Sequence, residues 1–169
     1  PRAQVRFADG SDPAAAAKLA AAADVVVVMA HQWATEGTDL SDLTLRDGQD
    51  ALIAAVAAAN PKTVVVLQSG NPVLMPWLDG VGAVLQNWYA GIRGAQALAE
   101  VLFGDVNPSG KLPVTFPVRL ADVPTGGVDF KVGDVPYTEG LEVGYRWYDA
   151  QGITPLFPFG HGLSYTRFG

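Results

Sequence analysis

The apolar positions in the first hundred residues follow two different periods along the chain. The run at residues 24–30 is β-branched and apolar on both faces, which is typical of a strand buried in a parallel sheet. Ser11, Asp12 and Pro13 supply capping and first-turn chemistry for an Ala-rich helix that follows them. Further strand candidates lie at 5–8, 62–68 and 83–86, and helical patterns lie at 13–23, 49–59 and 91–103.

Strands that alternate with helices of these lengths form βαβ units around a parallel sheet. The pattern therefore predicts an α/β fold, a three-layer α/β/α sandwich with a mostly parallel sheet, with its doubly wound core in residues 1–104. After Gly104, prolines interrupt every pattern and the apolar residues become aromatic. We expect residues 105–169 to be a loop-rich Pro/aromatic segment that packs on this core, which makes residues 1–169 one domain.

Composition narrows the range of partners. The 169 residues are 49% hydrophobic and 17% charged, which is enough apolar material for one core. The net charge of −6 and the lack of a basic run argue against nucleic acid, and the longest apolar run is too short for a bilayer. The chain has no cysteine, and its two histidines are far apart with no acid at ligand spacing. No disulfide, metal or membrane partner is therefore predicted.

Common catalytic and cofactor motifs do not fit the sequence. The segment Gly104–Lys111 has five residues between its glycines where a phosphate loop has four, and Leu112 follows its lysine where Ser or Thr is needed. No Gly-x-Gly-x-x-Gly or Gly-x-Ser-x-Gly follows any predicted strand. The sequence predicts no cofactor.

The loop after the predicted strand at 24–30 carries the best candidate chemistry. It holds Trp33, Glu36 and Asp39 beside Gly37, and ligands of open α/β sheets bind outside the carboxyl ends of the strands. An aromatic ring can stack on a sugar, and a carboxyl group can move a proton. The alternative interpretation is that Glu36 and Asp39 are ordinary solvated loop acids.

Several longer motifs carry a family resemblance that runs from about residue 22 onward. In chain order they include Glu36-Gly37-Thr38-Asp39, Asn60-Pro61-Lys62-Thr63, Gly70-Asn71-Pro72-Val73, Trp88-Tyr89, Asn107-Pro108-Ser109-Gly110-Lys111-Leu112-Pro113, Tyr137-Thr138-Glu139-Gly140, Gly144-Tyr145-Arg146 and the run from Pro155 to Tyr165. Together they resemble the second domain of family 3 glycoside hydrolases. Leu40 departs from the pattern, because the family commonly has Arg at that position.

The resemblance implies part of a retaining, β-glucosidase-like enzyme that acts on an oligosaccharide or on an aryl or alkyl glycoside. A (β/α)₈-type barrel, outside this chain, would supply the aspartate nucleophile. Glu36 corresponds to the general acid/base, about 5 Å from that nucleophile in a retaining mechanism. Trp33 and Asp39 are then expected to contact substrate, with core packing or a surface role as the alternative for Trp33. The missing initiator Met and signal stretch predict a fragment. Because the barrel with the nucleophile is outside this chain, the isolated fragment is expected to be inactive.

Two alternatives stay open at this point. Glu139 also lies in a loop beside aromatic residues and Gly, so it is the rival general acid; its structural interpretation is an anchor for residues 144–146, paired with Arg146. The alternative function is a non-catalytic carbohydrate-binding or scaffolding module. The first strand of the family's domain is also not found upstream of Val5, and we expect an unpaired edge of the sheet there.

Overall fold

The computed structural model describes residues 3–38, 40–125, 134 and 136–167. They divide into two compact units. The sheet unit is drawn from residues 1–39, 44–70 and 75–90, and the second unit from 40–43, 71–74 and 91–169. The helices are α1 (Pro13–Ala21), α2 (Gln49–Ala59), α3 (Gly94–Leu102) and α4 (Tyr145–Gln151), with 3₁₀ turns at Leu78–Gly80 and Leu120–Asp122; the strands are β1 (Val26–His31), β2 (Thr63–Gln68) and β3 (Ala83–Gln86).

The three strands form a parallel sheet in the order β1-β2-β3. Val65 of the central strand lies opposite Val28 on one side and Val84 on the other. Val65, Val66 and Leu67 are completely buried, as expected for β-branched and aliphatic residues of a central parallel strand. The predicted α/β class and its parallel sheet are confirmed.

Helices α1 and α2 pack on each other and cover one face of β1. Asp12 caps α1 by accepting hydrogen bonds from the backbone N–H groups of Ala14 and Ala15, at 2.9 and 3.1 Å. Small side chains let the two helices approach closely: a buried cluster contains Ala16, Ala20 and Val56, and the β1 residues Val26 and Val28 pack against it. The Ala-rich composition of α1 is thus a packing feature.

The opposite face of β1 corrects the prediction that this strand is buried on both faces. Val27 and Met29 are 43% and 48% exposed. The physical reason is that successive side chains of a strand point to opposite faces: α1 and α2 pack against Val26 and Val28, and they do not cover the face of Val27 and Met29. The strand predicted at 5–8 is also wrong: these residues pair with no described strand, and Val5 and Phe7 are almost fully exposed.

The described residues of the segment 105–169, which belongs to the second unit, are mostly in loops, as predicted. An antiparallel bridge joins Phe116, which is buried, to Phe157, which is half-buried: the N–H of Phe116 donates to the Phe157 carbonyl at 2.8 Å. Helix α4 was not predicted from the sequence. Its seven residues lack an Ala/Leu helical pattern, and glycines bound it at both ends: Gly144 and the left-handed Gly152. That residues 1–169 form one domain stays a prediction.

A buried carboxylate anchors part of the second unit. Asp122 accepts hydrogen bonds from the backbone N–H, Nε and Nη2 of Arg119, at 3.0, 3.1 and 2.6 Å. These bonds lower the pKa of Asp122 below its usual value of 3.8. Trp147 donates its indole N–H to the backbone carbonyl of Asp122 at 3.0 Å.

Across the described ranges, no helix has the length and hydropathy needed to cross a membrane.

Candidate active site

The loop predicted to carry the chemistry begins where β1 ends, and the last residue of that strand, His31, is fixed by a side-chain amide. Gln49, the first residue of α2, accepts a hydrogen bond from the backbone N–H of His31 through Oε1 and donates one from Nε2 to the His31 carbonyl, both at 2.8 Å. The same Nε2 donates to the Arg46 carbonyl at 3.0 Å. The amide therefore takes the place of a neighbouring strand at the end of β1.

The next residue, Gln32, is the first of the loop and is held by several contacts. Its side chain is 2% exposed, and its backbone N–H donates to the Gln68 carbonyl at 2.9 Å. The backbone carbonyl of Gln32 accepts a 2.5 Å hydrogen bond from the Tyr89 hydroxyl. The side-chain Nε2 of Gln32 lies 3.4 Å from the Thr44 carbonyl oxygen. Strand pairing, buried packing and a tyrosine hydroxyl together fix the base of the loop.

The tip of the loop is a tight turn that presents Glu36. Thr35 and Thr38 form an antiparallel bridge, and Glu36 and Gly37 lie between them. Gly37 has a φ of 80°, a left-handed conformation that glycine adopts without steric cost. Glu36 is exposed, and no described Lys or Arg forms an ion pair with it. Its carboxyl group is available to a ligand or to another protein surface.

Trp33 and Glu36 belong to the same short loop, and both face solvent. Trp33 is 74% exposed, so core packing, one of its two sequence-based interpretations, is wrong. An exposed indole ring near a carboxyl group can stack on an apolar ligand face while the acid exchanges a proton with that ligand. Asp39, the other predicted substrate contact, lies outside the described residues.

Glu139, the rival acid, lies in the second unit. It is half-buried in the turn at 138–140, and its backbone carbonyl accepts a 3.0 Å hydrogen bond from the N–H of Glu142. Within the described part of the chain, no ion pair joins Glu139 to Arg146, so the proposed pairing is not found. Whether Glu36 or Glu139 acts as the acid stays a prediction.

Sequence reasoning missed a polar cluster at the carboxyl ends of all three strands. Gln86 donates from Nε2 to the Ser69 hydroxyl at 3.1 Å, and Tyr89 reaches Gln32 as described above. Gln86 ends β3, Gln32 and Ser69 directly follow β1 and β2, and Tyr89 lies three residues after β3. The rule that sites form at strand carboxyl ends could therefore have found them. None of the described His, Asp and Glu residues group in a way that could hold a metal ion.

Comparison with known proteins connects this geometry to one family. A family model described as the glycosyl hydrolase family 3 C-terminal domain matches residues 3–165. The chain is 51% identical over 158 residues to a probable β-glucosidase I of Aspergillus flavus, covering 90% of the chain. It is 50% identical over 163 residues to a β-glucosidase of Rhizobium radiobacter, covering 92% of the chain.

Solved structures give the same result. DesR, a β-glucosidase from Streptomyces venezuelae in complex with D-glucose, matches 92% of the chain with a TM-score of 0.86 and 50% identity. A β-glucosidase from Kluyveromyces marxianus in complex with glucose matches 97% of the chain with a TM-score of 0.89 and 41% identity. The chain spans about a fifth of these relatives: 19% of the Aspergillus flavus protein, and 20% of each solved chain.

Proposed function

Because the chain belongs to the glycosyl hydrolase family 3 C-terminal domain family, we propose that it is part of a retaining β-glucosidase-like enzyme in which Glu36 is the general acid/base. The observation that carries this proposal is the position of Glu36: an exposed carboxyl group at the tip of a loop whose base is firmly bonded at the carboxyl end of β1. A proton donor needs both properties, since it must reach the substrate and be held in place.

The reaction needs a second carboxylate, which we assign to an aspartate in a barrel domain outside this chain. That aspartate attacks the anomeric carbon while Glu36 protonates the departing glycosidic oxygen. A covalent glycosyl-enzyme forms, and Glu36 then takes a proton from the water that hydrolyses it. The two carboxyl groups work at a separation of about 5 Å in such enzymes.

The relatives also support a substrate class for the proposed enzyme. We propose terminal β-glycosidic bonds of oligosaccharides or of aryl and alkyl glycosides, because the relatives named above are β-glucosidases. The exposed ring of Trp33 is suited to stack on the leaving group next to the acid. Asp39 is proposed as a hydrogen-bonding partner of the substrate.

The proposal is tested in the full-length enzyme with Glu36→Gln, which keeps the shape of the side chain and removes its acidic proton. We expect kcat/KM on an alkyl β-glucoside to fall about 1000-fold, within the usual range for a general acid. On a dinitrophenyl β-glucoside, the first step should be nearly unaffected, because that leaving group needs no proton. Azide should then accelerate turnover and yield a glycosyl azide, because azide attacks the glycosyl-enzyme without a general base.

Two matched variants make the assignment specific. Glu142→Gln removes another exposed glutamate and should behave as the wild type on both substrates. Glu139→Gln tests the rival acid. If the leaving-group dependence and the azide effect appear in Glu139→Gln and not in Glu36→Gln, the acid role belongs to Glu139 and the proposal for Glu36 is wrong.

A further inference from the structure

Tyr89 connects the end of β3 to the beginning of the loop that carries Glu36. It lies three residues after β3, yet its hydroxyl donates a 2.5 Å hydrogen bond to the backbone carbonyl of Gln32, which directly follows β1. Since β2 lies between β1 and β3, the side chain extends across the end of the central strand. Tyr89 is 55% exposed, so burial of apolar surface accounts for only part of its placement.

Two backbone features fit this path. Trp88 has a φ of 50°, which a bulky residue adopts at a cost in strain, and it directly precedes Tyr89. Gly70, two residues after β2, has no side chain where the ring passes: a Cβ there would lie 3.0 Å from Cε2 of Tyr89. The backbone conformation of Trp88 and the space left by Gly70 are both compatible with the observed position of the Tyr89 ring.

We propose that Tyr89 is a positioning residue for Glu36, which it holds in place through Gln32; this inference rests on the proposed function. Gln32 is four residues from Glu36, and the turn at Thr35 and Thr38 is already closed by its own bridge. A shift of the Gln32 backbone is therefore carried to the tip of the loop. Proton transfer is sensitive to such a shift, because a misplacement of about 1 Å can cost about 100-fold in rate.

The test is Tyr89→Phe in the full-length enzyme, which deletes only the hydroxyl. We expect kcat on an alkyl β-glucoside to fall about 10-fold with an unchanged KM, and kcat/KM on a dinitrophenyl β-glucoside, which reports only the first step, to change less than about 2-fold. Tyr165→Phe is the matched control, since its ring is 58% exposed and its hydroxyl donates to the Val101 carbonyl at 2.8 Å. It should leave both rates unchanged.

A double-mutant cycle separates positioning from a general structural effect. If Tyr89 acts through Glu36, Tyr89→Phe should have less than about a 1.5-fold effect on the alkyl substrate once Glu36→Gln is present. An equal loss on both substrates, an unchanged rate on both, or a 10-fold loss that persists in the Glu36→Gln background would each overturn the inference while the proposed function stands. If Glu36→Gln itself shows no leaving-group dependence, the proposed function is wrong, and this inference, which rests on it, is wrong as well.

Discussion

The side-chain amide of Gln49 binds both backbone polar groups of His31, with one donated and one accepted hydrogen bond of 2.8 Å each. This pairing links the start of α2 to the end of β1, the point from which the loop of Glu36 departs. The two residues are 18 positions apart in the sequence, and their pairing has a direct consequence for the stability of the loop.

Replacing Gln49 with Leu should loosen the base of the loop. Because His31 is exposed, water can replace the lost bonds, and we expect only about 1 kcal/mol of destabilisation. The amide hydrogen of His31 should exchange about 5-fold faster, measured by hydrogen exchange. Gln96→Leu is the control, because Gln96 is exposed and its described side-chain hydrogen bonds join it to Arg93 and Glu100, away from His31 in the sequence. Unchanged exchange at His31 in Gln49→Leu would contradict this prediction.

Gly70→Ala should disturb the Tyr89 hydroxyl without deleting it. The added methyl would approach Cε2 of Tyr89 to 3.0 Å, so the half-exposed ring must move by a few tenths of an ångström. We expect a partial version of the Tyr89→Phe effect, about a 3-fold loss of kcat on an alkyl β-glucoside. Gly110→Ala, where a Cβ meets nothing within 4 Å, is the control. A Gly70→Ala enzyme with wild-type rates would show that the ring position is not critical.

Asn60 joins α1 to the turn between α2 and β2. Its buried side chain donates to the carbonyls of Ala20 and Ala23, at 3.0 and 2.8 Å, and accepts from the N–H of Lys62 at 2.9 Å. At about 1 kcal/mol for each bond, Asn60→Ala should cost about 2–3 kcal/mol in the free energy of unfolding.

Urea denaturation measures that cost, and two further variants define it. Asn60→Asp retains the acceptor for Lys62 but places a carboxylate against two carbonyl groups, so it should cost more than Asn60→Ala. Asn107→Ala removes an exposed asparagine that also makes two side-chain hydrogen bonds, and it should cost about 1 kcal/mol or less. Similar costs for Asn60→Ala and Asn107→Ala would mean that burial adds nothing to these bonds.

The contribution of Asp122 should depend on pH in a defined direction. Hydrogen bonds from Arg119 lower the pKa of Asp122, so its ionised form stabilises the folded chain above pH 3.8, and this stability is lost as the pH falls through 3.8 towards the native pKa. The Arg119 side chain is 74% exposed, which limits the expected cost of Asp122→Asn at pH 7 to about 1–2 kcal/mol.

Unfolding by urea at pH 7, 5 and 3 checks this prediction. The difference between the wild type and Asp122→Asn should be the same at pH 7 and 5 and should shrink at pH 3. Asp105→Asn removes an exposed carboxylate and provides the comparison for a general charge effect. A difference that persists undiminished at pH 3 would mean that the ionised carboxylate is not the source of the stability.

Elements with a strong local pattern could be predicted from the sequence. Helix α2 was predicted at its observed bounds, and β3 likewise, because Asn60-Pro61 and the flanking loops punctuate the apolar runs. Helix α4 could not be predicted, because its start and end depend on the glycines at 144 and 152 and its residues have no helical periodicity. The exposed face of β1 was missed for another reason: an all-apolar run indicates burial but does not say what covers each face.

The candidate site was predictable only at its tip. The residue types of Trp33 and Glu36 and their place after a strand were visible in the sequence. The residues that fix the loop were not, because Gln49 and Tyr89 lie 18 and 57 residues from the backbone groups that they bind. The Gln49 contact depends on how α2 packs beside β1, and the Tyr89 contact depends on the order of the strands in the sheet; local patterns encode neither.

The exposed side chains of Val27 and Met29 bear on how the chain can be produced by itself. An uncovered apolar strand at the border of a sheet is a template for edge-to-edge aggregation, and natural proteins counter this with charged residues such as lysine. Replacing these two residues with Lys would add that protection at positions whose side chains do not contribute to the α1–α2 cluster. These two substitutions in β1 are therefore the first changes to make when the isolated chain is expressed.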